Sequence, residues 1–250
     1  MENVLEKIKN ITAEFIENVS EAFGNNLRSV ILYGPAARGE TLKKVPYINF
    51  MVVLEDNTPS ELAHCSKYLK KWRKHLIATP LFLDTGYIGR SLDTFPLEFL
   101  DMSSAYEVIH GEDVLEDITF GDEDVRNQCE RELKGKLLHL RAEYLNLREN
   151  KKALIDLVDR SLNTFRMLFI GALFLKDIEV PSDTDKLLSL VTKEYELDSS
   201  LLIKLRNIAK GEIKVDESEA DGLFDLYVEE LDKLSNALDK MTDVPDRPVE

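Results

Sequence analysis

The residues whose types and spacing could do chemistry surround a glycine turn. Gly34 and Pro35 follow an apolar run, Arg38 comes shortly after them, and Tyr47 and Asn49 open a second apolar run. A strand, a glycine turn that begins a short helix, and a second strand form a common phosphate-binding arrangement, because N–H groups at a helix start point at the anion. The stretch therefore predicts a nucleotide or phosphate site that includes these five residues.

Tyr47 and Asn49 lie two apart in a predicted strand over residues 47–54, so both face the same side of the sheet. Magnesium prefers anionic oxygen ligands, and a pair of metal ions beside a triphosphate needs carboxylates to balance the charge. A phenol that titrates near pH ~10 and a neutral amide are poor substitutes for two acids. The pattern predicts no metal site here.

The stretch resembles the signature of the DNA-polymerase-beta-like nucleotidyltransferase superfamily. In that family a strand ends in Gly-Ser, an Ala-Arg-Gly-Glu-like run follows, and Asp-hydrophobic-Asp opens the next strand. Here Gly34 matches the glycine and residues 37–40 match the run, while Pro35 occupies the serine position. Tyr47 and Asn49 fall on the two metal-binding positions, so the resemblance implies the fold without the catalytic acids.

Pro35 and Arg38 bear on how the turn would meet a phosphate. Proline removes a hydroxyl and an N–H group from the cradle, although it suits the first position of a helix. Arg38 has two open roles: it offsets phosphate charge, or it anchors the turn through Glu40 or a backbone carbonyl.

A third carboxylate is usual in the family, on a later strand beside the aspartate pair. We predict a strand over residues 96–102 and place the third acid at Glu98, with Asp101 as the alternative. The run from Tyr106 to Asp113 that follows resembles a run found after this strand in related prokaryotic proteins. Glu98 would then be the one general base or metal ligand. The competing interpretation is a half-exposed strand with one outward charge.

Composition limits the partners. The 250 residues are 44% hydrophobic and carry a net charge of −15, enough apolar content for two ordinary domains. A protein that binds a nucleic-acid backbone usually has a basic face, so direct nucleic-acid binding is disfavoured. One basic cluster departs from the net negative charge, on a helix predicted over residues 60–76. It is either a solvated helix face or a surface that steers an acidic partner or a polyphosphate towards the site. The cluster comprises Lys67, Lys70, Lys71, Arg73, Lys74 and His75.

The remaining reactive residues indicate a reduced, cytoplasmic protein. Cys65 and Cys129 are isolated, which fits free thiols better than a disulfide scaffold. We expect no signal peptide and no membrane span. His110 precedes Gly111 in a predicted turn and is an acid–base candidate, with a structural role as the competing interpretation.

Periodicity predicts an α+β fold in two domains: an N-terminal nucleotidyltransferase-like mixed sheet of about five strands with helices, followed by an all-α helical bundle. The predicted boundaries are 1–121 for the first domain, 122–241 for the bundle and 242–250 for a disordered tail. The broad apolar tract at residues 162–175 implies burial in the bundle centre, a homodimer contact, or both.

Three functions remain open at this stage. The first is a catalytically degenerate nucleotidyltransferase-fold protein that retains a nucleotide-binding or protein-interaction role. The second is an active enzyme that moves a nucleoside monophosphate from a nucleoside triphosphate such as ATP to a small molecule or protein, with magnesium as cofactor. The third is a dimeric scaffold that uses the helical domain. Whether the chain is an enzyme, and any certain cofactor, are left open by the sequence.

Overall fold

The computed structural model describes residues 2–39, 47–209, 212–214 and 216–241. The chain packs as two units, the first from residues 1–94 and 101–119 and the second from residues 95–100 and 120–250. The predicted boundary after residue 121 lies close to the point where the second unit resumes, and the predicted tail at 242–250 lies outside the described residues.

The first unit contains a mixed four-stranded sheet. Its strands are β1 (Leu27–Tyr33), β2 (Asn49–Leu54), β3 (Leu81–Asp84) and β4 (Tyr106–Gly111). The order is β3-β2-β1-β4, with β1 antiparallel to β2 and β4 and β2 parallel to β3. The predicted α+β class is confirmed, with four strands in the sheet instead of about five.

Helix α1 (Glu2–Phe23) covers one face of this sheet and ends in a 3-10 turn at Gly24–Asn26. Its apolar stripe is buried because Phe15 stacks on Phe50 of β2 with ring centroids 4.1 Å apart. Trp72, which is 2% exposed, packs against the ring of Phe15 and donates a hydrogen bond from Nε1 to Asn18 Oδ1 at 3.2 Å. Aromatic packing of this kind contributes more than burial alone.

Short helices connect the strands. They are α2 (Pro59–Ala63), a 3-10 turn (Ser66–Tyr68), α3 (Leu69–Lys74), α4 (Thr85–Ser91) and α5 (Pro96–Ser104). The single helix predicted over residues 60–76 is wrong, because the chain turns between α2 and α3 to bury Cys65 and Trp72.

Two neighbouring assignments are also wrong. The strand predicted over residues 96–102 is helix α5, whose Leu97 and Leu100 are buried one turn apart. The turn predicted around His110 is the end of β4, where His110 is the register partner of Val30. Short apolar runs do not distinguish strand from helix by periodicity, and the packing surface decided both cases.

The second unit is helical apart from its loops. Its helices are α6 (Asp122–Leu147), α7 (Lys151–Phe174), α8 (Thr184–Glu194), α9 (Ser199–Ala209) and α10 (Ala220–Asp239), with a 3-10 turn at Glu217–Glu219. The helices α6 to α10 lie within residues 122–241, the segment predicted to be a helical bundle. None of the helices in the described ranges combines the length and apolar content needed to cross a bilayer.

Helix α7 is the centre of this unit. Within residues 162–175, Phe165, Ile170 and Leu173 are fully buried inside a single copy of the chain. Central burial is therefore confirmed, and the homodimer contact stays a prediction. Tyr195 donates a hydrogen bond to the Ala172 carbonyl at 2.7 Å, which ties the segment after α8 to the same helix.

Gly171 lets the start of α5 and helix α6 approach α7. A Cβ atom at Gly171 would clash with the Leu97 side chain and would lie 2.5 Å from Cys129 Sγ. Gly135 on α6 is also a helix-interior glycine, but a Cβ atom there would meet nothing within 4 Å. Substitution at Gly171 therefore tests close packing together with helix propensity, whereas substitution at Gly135 tests helix propensity alone.

We expect Gly171→Ala to destabilise the protein by about 1–3 kcal/mol, because overpacking outweighs the gain in helix propensity. The control Gly135→Ala should stabilise it by about 0.5–1 kcal/mol, since it removes backbone entropy from the unfolded chain without a clash. Denaturant unfolding of both variants measures the difference. A stabilised Gly171→Ala protein would contradict the close packing around α7.

Candidate functional site

The turn after β1 is built on two glycines in the left-handed region. Gly34 has φ of 74° and Gly39 has φ of 75°. Arg38 N–H donates to the Gly34 carbonyl and Gly39 N–H to the Ala36 carbonyl, both at 3.1 Å. A single helical turn that is not continued replaces the short helix predicted here, because left-handed backbone at both ends is incompatible with a right-handed helix.

Gly34 lies against Asn49 of the neighbouring strand. Tyr33 and Asn49 are register partners, and a Cβ atom at Gly34 would lie 3.1 Å from Asn49 Nδ2. The structure thus brings Gly34 and Asn49 together. Tyr47, one residue before the Ile48 bridge to Ile77, is 53% exposed.

Arg38 points inward from the turn. Its side chain is 7% exposed, and Nη1 lies 3.8 Å from Oδ1 of Asp101, whose side chain is 24% exposed. Asp101 comes from the last part of α5 and belongs to the first unit. Of the two anchors predicted for Arg38, Glu40 lies outside the described residues, and the observed carboxylate partner is Asp101.

Tyr33 lies near this ion pair, and the sequence pattern did not mark it as a site residue. Burial and then the negative charge of Asp101 raise the pKa of Tyr33. Tyr106 on β4 is the register partner of Tyr33 and donates its hydroxyl proton to Asp113 Oδ2 at 3.0 Å. Burial and that bond raise the pKa of Tyr106 to about 12. The position of Tyr33 directly before Gly34 was the one available signal.

Glu98 has a partner of its own in the second unit. Gln128 Nε2 donates to Glu98 Oε2 at 2.7 Å, while Gln128 Oε1 accepts from the Leu97 N–H at 2.9 Å. Glu98 therefore orients an amide that bonds the first turn of α5. Its assignment as general base stays a prediction.

The donors beside the Gly34 turn do not fit a pair of magnesium ions. Tyr47 offers an exposed phenol, Asn49 a neutral amide, and the charge of Asp101 is offset by Arg38. Hard divalent cations need anionic oxygens that are free to coordinate them. In the described ranges no group of three or more His, Cys, Asp or Glu side chains is placed to hold a metal ion.

The basic cluster around α3 is partly neutralised by α1. Lys67 lies 2.7 Å from Glu21, and Lys71 lies 2.5 Å from Glu14, whose pKa is lowered chiefly by that hydrogen bond. Exposed pairs of this kind contribute little stability. The arrangement favours the solvated-face interpretation for these two lysines.

Comparison with known proteins gives similarity to solved structures and none to known sequences. No model of a known protein family matches the sequence, and no curated protein sequence matches it. The crystal structure of a spectinomycin adenyltransferase from Enterococcus faecialis with ATP and spectinomycin matches with 12% identity and a TM-score of 0.49, over 96% of this chain and 100% of that chain. At that identity and TM-score the similarity is too low to support a conclusion about function.

Asp101→Asn tests the electrostatics of the site. We expect it to lower the pKa of Tyr33, because a negative charge near the buried phenol is removed, and to cost about 1–3 kcal/mol of stability because the ion pair with Arg38 is lost. NMR titration of labelled tyrosines measures the pKa values. An unchanged pKa of Tyr33 would contradict the described contact.

Asp113→Asn is the matched control, since it should lower the pKa of Tyr106 from about 12 and leave Tyr33 unchanged. The folded chain keeps Tyr106 protonated to a higher pH than the unfolded chain does. Its contribution to stability is therefore present below pH ~10 and is lost as the pH rises towards about 12.

Proposed function

We propose that this chain is a nucleotidyltransferase-like protein that binds a nucleotide at the Gly34 turn and does not assemble a two-metal transfer centre. The observation that carries the proposal is the Arg38–Asp101 pair, which lies 3.8 Å apart beside the turn. A carboxylate that neutralises an arginine is not available as a magnesium ligand, and the neighbouring positions hold Tyr47 and Asn49.

Phosphate binding is supported by the backbone of the turn. The N–H groups of Arg38 and Gly39 are bonded within it, whereas those of Ala36 and Ala37 have no partner among the described residues. Successive N–H groups in such a turn attract anions. These two groups are the donors that we assign to a phosphate oxygen.

Base binding is supported by the exposure of Tyr47. Tyr47 is 53% exposed and lies two residues before Asn49, the first residue of β2. An exposed aromatic face stacks on a nucleobase with little dependence on the identity of the base. We therefore expect several nucleotides to bind at this turn.

The test is the melting temperature with ATP, once with magnesium and once with EDTA. At an ATP concentration about ten times Kd, ligand binding stabilises the folded state by roughly 1.4 kcal/mol, equivalent to a shift of about 3–6 °C. We expect similar shifts in both buffers, because no metal is needed. Tyr47→Ala should reduce the shift.

Tyr87→Ala is the control, because Tyr87 is an exposed tyrosine of α4 in the same unit, with 40% exposure. It should leave the ATP shift unchanged. The absence of any shift with ATP would overturn nucleotide binding. Magnesium-dependent release of pyrophosphate would instead overturn the loss of transfer chemistry.

A further inference from the structure

A cleft of about 340 Å³ lies between α6 and α7 in the second unit. Its floor is apolar and buried: Leu157 is 8% exposed, Leu140 4% and Phe165 0%. Binding sites for small molecules commonly combine such a floor with a few polar groups at the edge, at volumes from about 300 Å³ upwards. The cleft is large enough for a small organic ligand.

The two hydroxyl groups that line the cleft are already bonded. Ser161 Oγ lies 2.8 Å from the Val158 carbonyl oxygen and 3.0 Å from the Tyr227 hydroxyl. Thr164 Oγ1 donates to the Ser161 carbonyl at 2.8 Å. A ligand that lies on this floor therefore needs an apolar body, because a polar group placed there would lose its bonds to water.

The rim of the cleft carries more basic than acidic side chains. Lys136 and Arg160 line it with His139, against the single carboxylate of Glu143. Lys136 Nζ also forms an ion pair with Glu132 Oε2 at 3.6 Å. Arg160 donates from Nε to the Asp156 carbonyl at 3.3 Å and makes no ion pair within the described part of the chain.

A second groove, on the α10 side of α6, has the opposite character. Arg141 lines it, but this arginine is held by Asp232 at 2.6 Å, and Asp225 and Glu229 add two carboxylates. Since the whole chain carries a net charge of −15, its average field repels anions. The α6/α7 cleft is therefore a local exception to the overall charge.

We propose that the α6/α7 cleft binds a small organic anion with an apolar body. The body lies against Leu140, Leu157 and Phe165, and a carboxylate meets the Arg160 guanidinium at the rim. Charge-assisted hydrogen bonds between arginine and carboxylate are stronger than neutral ones, so the anionic group gives the site its selectivity. This ligand class is distinct from the nucleotide assigned to the Gly34 turn.

Isothermal titration calorimetry with three probes of the same shape tests the charge preference. 4-Phenylbutyrate carries the anion, 4-phenylbutan-1-ol is neutral and 4-phenylbutylamine is a cation. We expect affinity to fall in that order, with at least about a tenfold difference between the first two, equivalent to about 1.4 kcal/mol. Equal affinities, or no binding of any probe at millimolar concentration, would overturn the proposal.

Variants locate the binding. Arg160→Glu should reduce the affinity for 4-phenylbutyrate by more than about tenfold, which is about 1.4 kcal/mol. Lys152→Glu makes the same change of charge at an exposed position of α7 outside the cleft, and it should leave the affinity unchanged. Equal effects of the two variants would show a general charge effect and would overturn the site.

Occupation of the cleft is tested by Thr164→Trp. Thr164 is exposed at the cleft, so a larger side chain fills the space without entering the core. We expect all three probes to lose binding while the circular dichroism spectrum and melting temperature are retained. Undiminished binding in the folded variant would place the probe elsewhere, and Tyr47→Ala should leave probe binding unchanged.

Discussion

Strand β1 must be hydrogen-bonded along both edges, because it is buried. Val30 and Ile31 have no exposed surface, so their backbone N–H and C=O groups need partners that water does not supply. β2 and β4 supply them in antiparallel register. This pairing aligns Tyr33 with Asn49 on one side and Tyr106 on the other, and it positions the Gly34 turn beyond them. The position of the candidate site therefore depends on the hydrogen bonds that β1 makes with both of its neighbours.

Electrostatics at this end of the sheet are organised around an ion pair. Arg38 is almost completely buried, and a buried cation without a partner is costly. Asp101 supplies the partner, and its charge also contributes to the raised pKa of Tyr33. The same pair therefore links the burial of Arg38 to the raised pKa of Tyr33.

The helical unit depends on a different balance, between close packing on one side of α7 and incomplete packing on another. Gly171 permits contact with Leu97 and Cys129, and burial raises the pKa of the Cys129 thiol far above its usual range, which keeps it inert. On the side of Ser161, the facing side chains of α6 leave a cleft in the same helix pair. Because the hydroxyl groups of Ser161 and Thr164 are bonded to backbone carbonyls, the floor of the cleft is apolar and its charged side chains lie at the rim.

The sequence by itself determined the elements with strong, long periodicity. The strand before the Gly34 turn and the helical bundle over residues 122–241 were predicted, since a long amphipathic repeat defines which face of a segment is buried. The sequence also placed Gly34, Asn49 and Tyr47 near one another, because a turn and the strand that follows it are neighbours in the chain. The nature of α5, the break between α2 and α3, and the strand that contains His110 were decided by the surfaces available for packing.

Tertiary structure alone decided the contacts between residues distant in sequence. Asp101 and not Glu98 is the acid beside Arg38, because the two carboxylates of α5 meet different partners: Asp101 contacts Arg38 and Glu98 contacts Gln128. The cleft between α6 and α7 depends on how two helices fill the space between them. Neither has a local signal, because local sequence fixes backbone preference and the hydrophobic period, whereas charge pairing and unfilled volume arise only when separate segments meet.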